Sequence, residues 1–273
     1  MKKRGIIVLL GAVIFVIVIF AAHGIRNKSN IRVAGGTGLI EAPRLIAHAG
    51  GEIYGLRLTH SLEALDNSYS KGFRFIEADI SRTSDGVPVL VHDWGNANWL
   101  MDVRYSDKAP SYKEFKARKA ILGLHLMDLD MLAEWVANHD DAYIVTDVKD
   151  DNQDILRLIK ERYPEVYGRF IPQIYSFDEY KPVRGLGYEF IILTLYRIEA
   201  SDDEIVDFCK SHSLFALTMP YEKASPDTLD RFSKLSIPVY VHTVNDYNAY
   251  IKLRDNGAYG IYTDYFHPSK WIE

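Results

Sequence analysis

A single cysteine, Cys209, stands in 273 residues. That scarcity excludes an intrachain disulfide framework and any metal centre built on several thiolates. On the amphipathic stretch that carries it, Cys209 reads as a small buried hydrophobe. Lysine and arginine form no block beyond the first four residues, and the net charge is -5, so a nucleic-acid partner, which needs a clustered basic footprint, is not expected. Low-complexity tracts and internal repeats are also missing, so the composition is that of a globular protein.

What the chain does have is one long apolar run. After Met1-Lys2-Lys3-Arg4, the segment from Ile6 to Ala22 carries no charged or strongly polar side chain. At about 1.5 Å per helical residue it nearly crosses a hydrocarbon core of roughly 30 Å. The basic flank stays inside, which places the rest outside the cell. A cleaved signal peptide is the competing reading and would make the protein secreted. Bulky Phe20 before Ala21-Ala22 departs from a small-x-small cleavage site, so the segment is read as an uncleaved single-pass anchor in the cell membrane. The expected organisation is an anchor over 1–25, an irregular linker over 26–42 and one globular unit over 43–273.

From Leu45 onward, short apolar runs alternate with amphipathic stretches, the pattern of βα units and a parallel sheet. Nine strands are predicted: Leu45–His48, Phe75–Ile80, Val87–His92, Tyr143–Val148, Phe170–Tyr175, Phe190–Tyr196, Leu214–Met219, Val239–Val244 and Tyr259–Thr263. Helices are predicted over Ser61–Lys71, Asp151–Tyr163, Asp202–Ser211, Pro226–Leu235 and Asp246–Asn256. Between Ile80 and Val87 there is no room for a crossover helix, so those strands pair antiparallel about Asp85-Gly86. The remaining eight close an α/β (β/α)8 TIM barrel, with the hairpin as an extension of strand 2. Residues 94 to 127 make a longer excursion on the same face. Its Trp99, Tyr105 and Tyr112 either line a groove or form a small core of their own.

The barrel brings chemistry together at one end. A two-residue turn at Asp85-Gly86 would set Asp79 opposite His92. Glu77 and Asp79, two apart, share a strand face, and a cation relieves the repulsion between neighbouring carboxylates. His48 ends strand 1, followed by small residues that permit close backbone approach. Asp147 ends its own strand, with Lys149 on the same face. Trp94 either stacks on a substrate or caps the core.

These residues sit in stretches that resemble the glycerophosphodiester phosphodiesterases, within the phosphatidylinositol-specific phospholipase C-like barrels. The resemblance runs from Pro43 to Pro268, through "IAHAG", "SLEAL", "GFRFIEADISRTSDGVPVLVHD", "TDVK", "PVYVHTVND" and "NGAYGIYTD". It implies His48 and His92 as general acid and base, Glu77, Asp79 and Asp147 as ligands of one divalent cation, and Lys149 near the phosphate. His242 stands where the family commonly has an aromatic residue, and is expected either to line the pocket or to be structural. An all-oxygen ligand set suits Ca2+ or Mg2+, with Ca2+ favoured outside the cell. The sequence departs from the family at Ala49, where an arginine is usual, at Thr59 and His60, and at Asp147, shorter than the usual glutamate. The implied activity is metal-dependent hydrolysis of glycerophosphodiesters or related phosphodiesters. Alternatives are a phospholipase D-like lyase, a wall-polymer phosphodiesterase, or a silent barrel that only binds an anionic ligand.

Overall fold

Alternation along the strands decides how this barrel is built. In the computed structural model, which describes residues 31–35, 38–101 and 106–271, β1 (Arg32–Gly35) and β2 (Gly38–Glu41) form a separate antiparallel pair. The barrel strands are β3 (Leu45–Ala47), β4 (Phe75–Arg82), β6 (Tyr143–Val148), β7 (Phe170–Ile174), β8 (Ile192–Thr194), β9 (Ala216–Pro220), β10 (Val239–His242) and β11 (Gly260–Thr263), with β5 (Pro88–Leu90) returning beside β4. All eight pair in parallel, and β3 bonds both β11 and β4, so the sheet closes on itself.

On β4, Ile76, Ala78 and Ile80 face the surrounding helices, while Phe75 packs inside with Val145, Ile171 and Phe215. Glu77 and Asp79 share the parity of Phe75 and therefore point inward. Register pairs Phe75 with Tyr143, Glu77 with Val145 and Asp79 with Asp147. The interior is thus aromatic at the floor and acidic at the carboxyl end. The outer helices begin where capping side chains stand: Ser61 accepts from the Ala64 N–H, Asp151 from that of Asp154, and Ser201 and Glu204 close a capping box. Cys209 is buried on the helix Asp202–Ser211, and burial pushes its thiol up to about 12.

One expectation falls outside the described residues, and two meet the structure differently. The apolar segment Ile6 to Ala22, read as an anchor, lies outside the described residues; among those described, no helix is long and apolar enough to cross a membrane. Residues 32–35 and 38–41, expected to be irregular linker, form the antiparallel β1–β2 pair. Ile31, Val33 and Ile40 pack against the interior cluster that contains Tyr240 and Tyr259. The Tyr259 hydroxyl accepts the Ile31 N–H at 3.1 Å and donates to the Ala42 carbonyl at 2.7 Å. The hairpin register is also shifted by one: Ile80 lies opposite Leu90 and Arg82 opposite Pro88. The loop has three residues rather than two, because the Thr83 N–H bonds the Val87 carbonyl and the Gly86 N–H bonds that of Thr83. Gly86 supplies the left-handed conformation such a loop needs, at φ +86°.

Candidate active site

Strand ends carry most of the site. Glu77, Asp79 and Asp147 each offer a carboxylate oxygen within 4.8 Å of the others. Glu77 is buried; its Oε2 accepts the Ala49 N–H at 2.7 Å, and its Oε1 has no hydrogen-bond partner. Burial, and then the charge of Asp79, pushes the Glu77 carboxyl up to about 8. Burial works the same way on Asp79, but there the hydrogen bond and charge of His60, helped by Lys149 and His92, hold the carboxyl well below the usual range. The His60 Nε2 donates to Asp79 Oδ2 at 2.8 Å.

Asp147 is fixed from two further strands. The Tyr175 hydroxyl donates to its Oδ1 at 2.8 Å and that of Tyr196 at 3.1 Å. Its Oδ2 accepts from the Lys149 ammonium at 2.9 Å, and Lys149 also meets Asp79 Oδ1 at 2.6 Å. Burial would lower the lysine, yet Asp79 and Asp147 together raise it above its ordinary value. These residues fit a divalent cation. The donors are all hard oxygens, and a buried, unpartnered carboxylate oxygen faces two other carboxylates.

His48 opens the turn that follows β3. Ala49, Gly50 and Gly51 are all left-handed, which turns the Ala49 N–H onto Glu77. A Cβ at Gly51 would lie 2.1 Å from the Ser68 hydroxyl, so helix packing also requires the glycine. The His48 Nδ1 donates to Asp264 Oδ1 at 2.8 Å, just beyond β11. Desolvation opposes the charged imidazole, but the Asp264 bond and the charges of Glu77, Asp264 and Asp79 push it up to about 9. Asp264 is itself positioned by Asn245, which donates to Oδ2 at 2.6 Å.

The other expected residues fall around this centre. His92 is exposed and bonds its neighbour Asp93 at 2.8 Å. It lines a cleft with Leu58, His60 and Trp99. Trp94 packs edge-on against Phe115 and donates to the Arg82 carbonyl, so its ring belongs to the small core of the excursion. Tyr112 is tied to Asp128 at 2.6 Å, and Tyr105 lies outside the described residues. His242 lies 3.0 Å from the Thr218 hydroxyl, edge-on to Tyr196 and Tyr262. Burial, then the charges of His48 and Lys149, lowers its imidazole to about 3, so it lines the wall as a neutral ring.

The sequence profile of the glycerophosphoryl diester phosphodiesterase family matches residues 48–267. The chain belongs to this family. As a phosphodiesterase of this family, it is an enzyme acting on phosphoric diesters.

Solved structures agree on the fold of this phosphodiesterase. One is a glycerophosphodiester phosphodiesterase from Thermotoga maritima (21% identity, TM-score 0.64, covering 82% of this chain and 96% of that one). A second, from Parabacteroides distasonis, has 21% identity and a TM-score of 0.64, over 81% and 92% of the two chains. A third is an Oleispira antarctica phosphodiesterase in complex with the product sn-glycerol-3-phosphate (16% identity, TM-score 0.67, 82% and 93% covered). No curated protein matched the sequence.

Reading the sequence missed the partners of the site. Asp264 and Tyr175 stand just past their strands, where the strand-end rule used for His48 and Asp147 also applies. His60 stands out in the sequence only as a departure from the family. Its contact with Asp79 needs a loop to fold over the mouth.

Proposed function

We propose that the chain is a divalent-cation-dependent phosphodiesterase that hydrolyses glycerophosphodiesters or related phosphodiesters outside the cell. The supporting observation is the meeting of three carboxylates, an Asp264-held imidazole and a lysine at one end of the barrel. Glu77, Asp79 and Asp147 would hold the ion, and Ca2+ is favoured over Mg2+ because the all-oxygen acidic set lies outside the cell. When bound, the ion supplies charge neutralisation for the phosphodiester and its transition state.

The protein's own groups move the protons. Asp264 orients His48 through Nδ1 and favours the imidazolium, so His48 donates a proton to the leaving oxygen from its other nitrogen. His92 accepts the proton of the attacking hydroxyl or water. Lys149 spends two of its three donors on Asp79 and Asp147, and the third is left for a phosphate oxygen. Location completes the proposal: the segment Ile6 to Ala22 anchors the barrel on the outer side of the membrane.

The test is release of glycerol 3-phosphate from glycerophosphodiesters by the full-length chain with Ca2+, with Mg2+ and with chelator, alongside His48→Ala and Asp79→Asn. Metal-dependent release lost in both variants is the expected result. A folded chain that binds the ion and the phosphodiester without turnover would be a silent binding protein. A cyclic phosphate that persists as end product would identify a lyase.

A further inference from the structure

The proposed mouth is crowded with negative charge, and most of its cations are already engaged. Lys149 bridges Asp79 and Asp147, His48 bonds Asp264, and Arg57 lies 3.8 Å from Asp264. A phosphodiester arriving above Glu77, Asp79 and Asp147 needs a cationic fork not yet paired with a carboxylate. Position 49 cannot supply one, because it is alanine, buried against Glu77.

Arg197 meets the requirement. It follows β8 at the carboxyl end of the barrel, and its guanidinium lies 4.6 Å over the Tyr175 ring and 5.0 Å over the Tyr196 ring. Both tyrosines donate their hydroxyls to Asp147, so the platform under the guanidinium is locked to a carboxylate of the proposed ion site. Arg197 is exposed, and among the described residues it forms no salt bridge and no hydrogen bond. Stacking fixes a guanidinium plane while leaving its edge donors free, the arrangement that suits bidentate contact with phosphate.

We propose that Arg197, seated on Tyr175 and Tyr196, is a substrate-binding residue that grips the phosphoryl group of the phosphodiester. The side chain acts through binding rather than proton transfer, since a guanidinium stays charged throughout the working pH range. It approaches from the β8 side, across the mouth from the strand that carries His48.

The inference rests on the proposed function, and the experiment separates the two. Full-length wild-type chain, Arg197→Gln and Arg197→Lys are titrated with inorganic phosphate and with glycerol 3-phosphate in the presence of Ca2+, and assayed for phosphodiester turnover. Arg197→Gln is expected to weaken both ligands about 10- to 100-fold, the span of a lost charge-assisted pair. Arg197→Lys is expected to fall between, because it keeps the charge and loses the fork. In turnover, KM rises by a similar factor while kcat changes less than about threefold, a split that a merely structural arginine would not produce.

Phosphate affinity within about twofold of wild type in Arg197→Gln, with an unchanged melting temperature, overturns the assignment even if the enzyme turns over normally. Absence of phosphate binding by the wild-type chain overturns it too. Arginine-dependent phosphate binding without turnover would retain Arg197 and reject the catalytic reading.

Discussion

His48 and His92 stand at one mouth but are held in opposite ways. His48 leaves a barrel strand, its Nδ1 donates to buried Asp264 from a position 216 residues away, and Asn245 fixes that carboxylate in turn. His92 follows the short hairpin arm β5, is exposed, and among the described residues bonds only its sequence neighbour Asp93. One imidazole is therefore set by closure of the barrel, the other by the hairpin turn and a neighbour in sequence. A site of this kind divides rigidity and access: buried pairing favours one protonation state, while exposure lets a proton exchange with solvent.

The sharpest way to break the comparison is to remove each ring. His48→Ala and His92→Ala should each lower kcat by on the order of 100-fold or more if both transfer protons. A loss confined to His48→Ala would leave His92 without a catalytic part. Next come the partners. Asp264→Asn should cost on the order of 10- to 100-fold in kcat/KM, the worth of a buried hydrogen bond to a charged group. Asp93→Asn should cost less than about threefold, because an exposed pair contributes little. Steady-state kinetics on the four variants reads all of these.

Stability against pH sharpens the contrast without any substrate. The folded value of His48, about 9, lies above the ordinary 6.5. A raised histidine stabilises the fold fully below its unfolded value and loses that contribution as the pH rises through its folded value. His48 should accordingly take about 3 kcal/mol from wild-type stability between about pH 6.5 and about pH 9, on top of any loss from the raised Glu77 carboxyl, and Asp264→Asn should lose less over the same window. Urea midpoints on either side of that window decide it; equal slopes in the two proteins would mean that Asp264 does not hold the imidazolium. The smallest effect belongs to the hairpin. Gly86→Ala puts a side chain at φ +86° with nothing within 4 Å, so backbone strain alone should cost about 1 kcal/mol. Any drop in kcat beyond that of a simple stability variant would show that the turn aims His92.

By itself the sequence determined the barrel, the faces of its strands and the acidic centre. Period-two alternation puts Phe75, Glu77 and Asp79 on one side and Ile76, Ala78 and Ile80 on the other, and that pattern is local. The strand Tyr143–Val148 has the predicted limits, and capping residues mark the helix starts for the same reason. Only the tertiary structure decided which residues meet. Asp264 reaching His48, His60 folding over Asp79, Tyr175 and Tyr196 converging on Asp147 and Arg197 lying across both rings all require barrel closure, which sets distant strand ends side by side. The β1–β2 pair packed on the barrel's interior cluster and the one-residue shift at Thr83 belong with them, since loop length and docking carry no periodicity to read. Local pattern encodes the face a side chain takes, whereas its partner depends on chain segments that become neighbours only when the sheet closes.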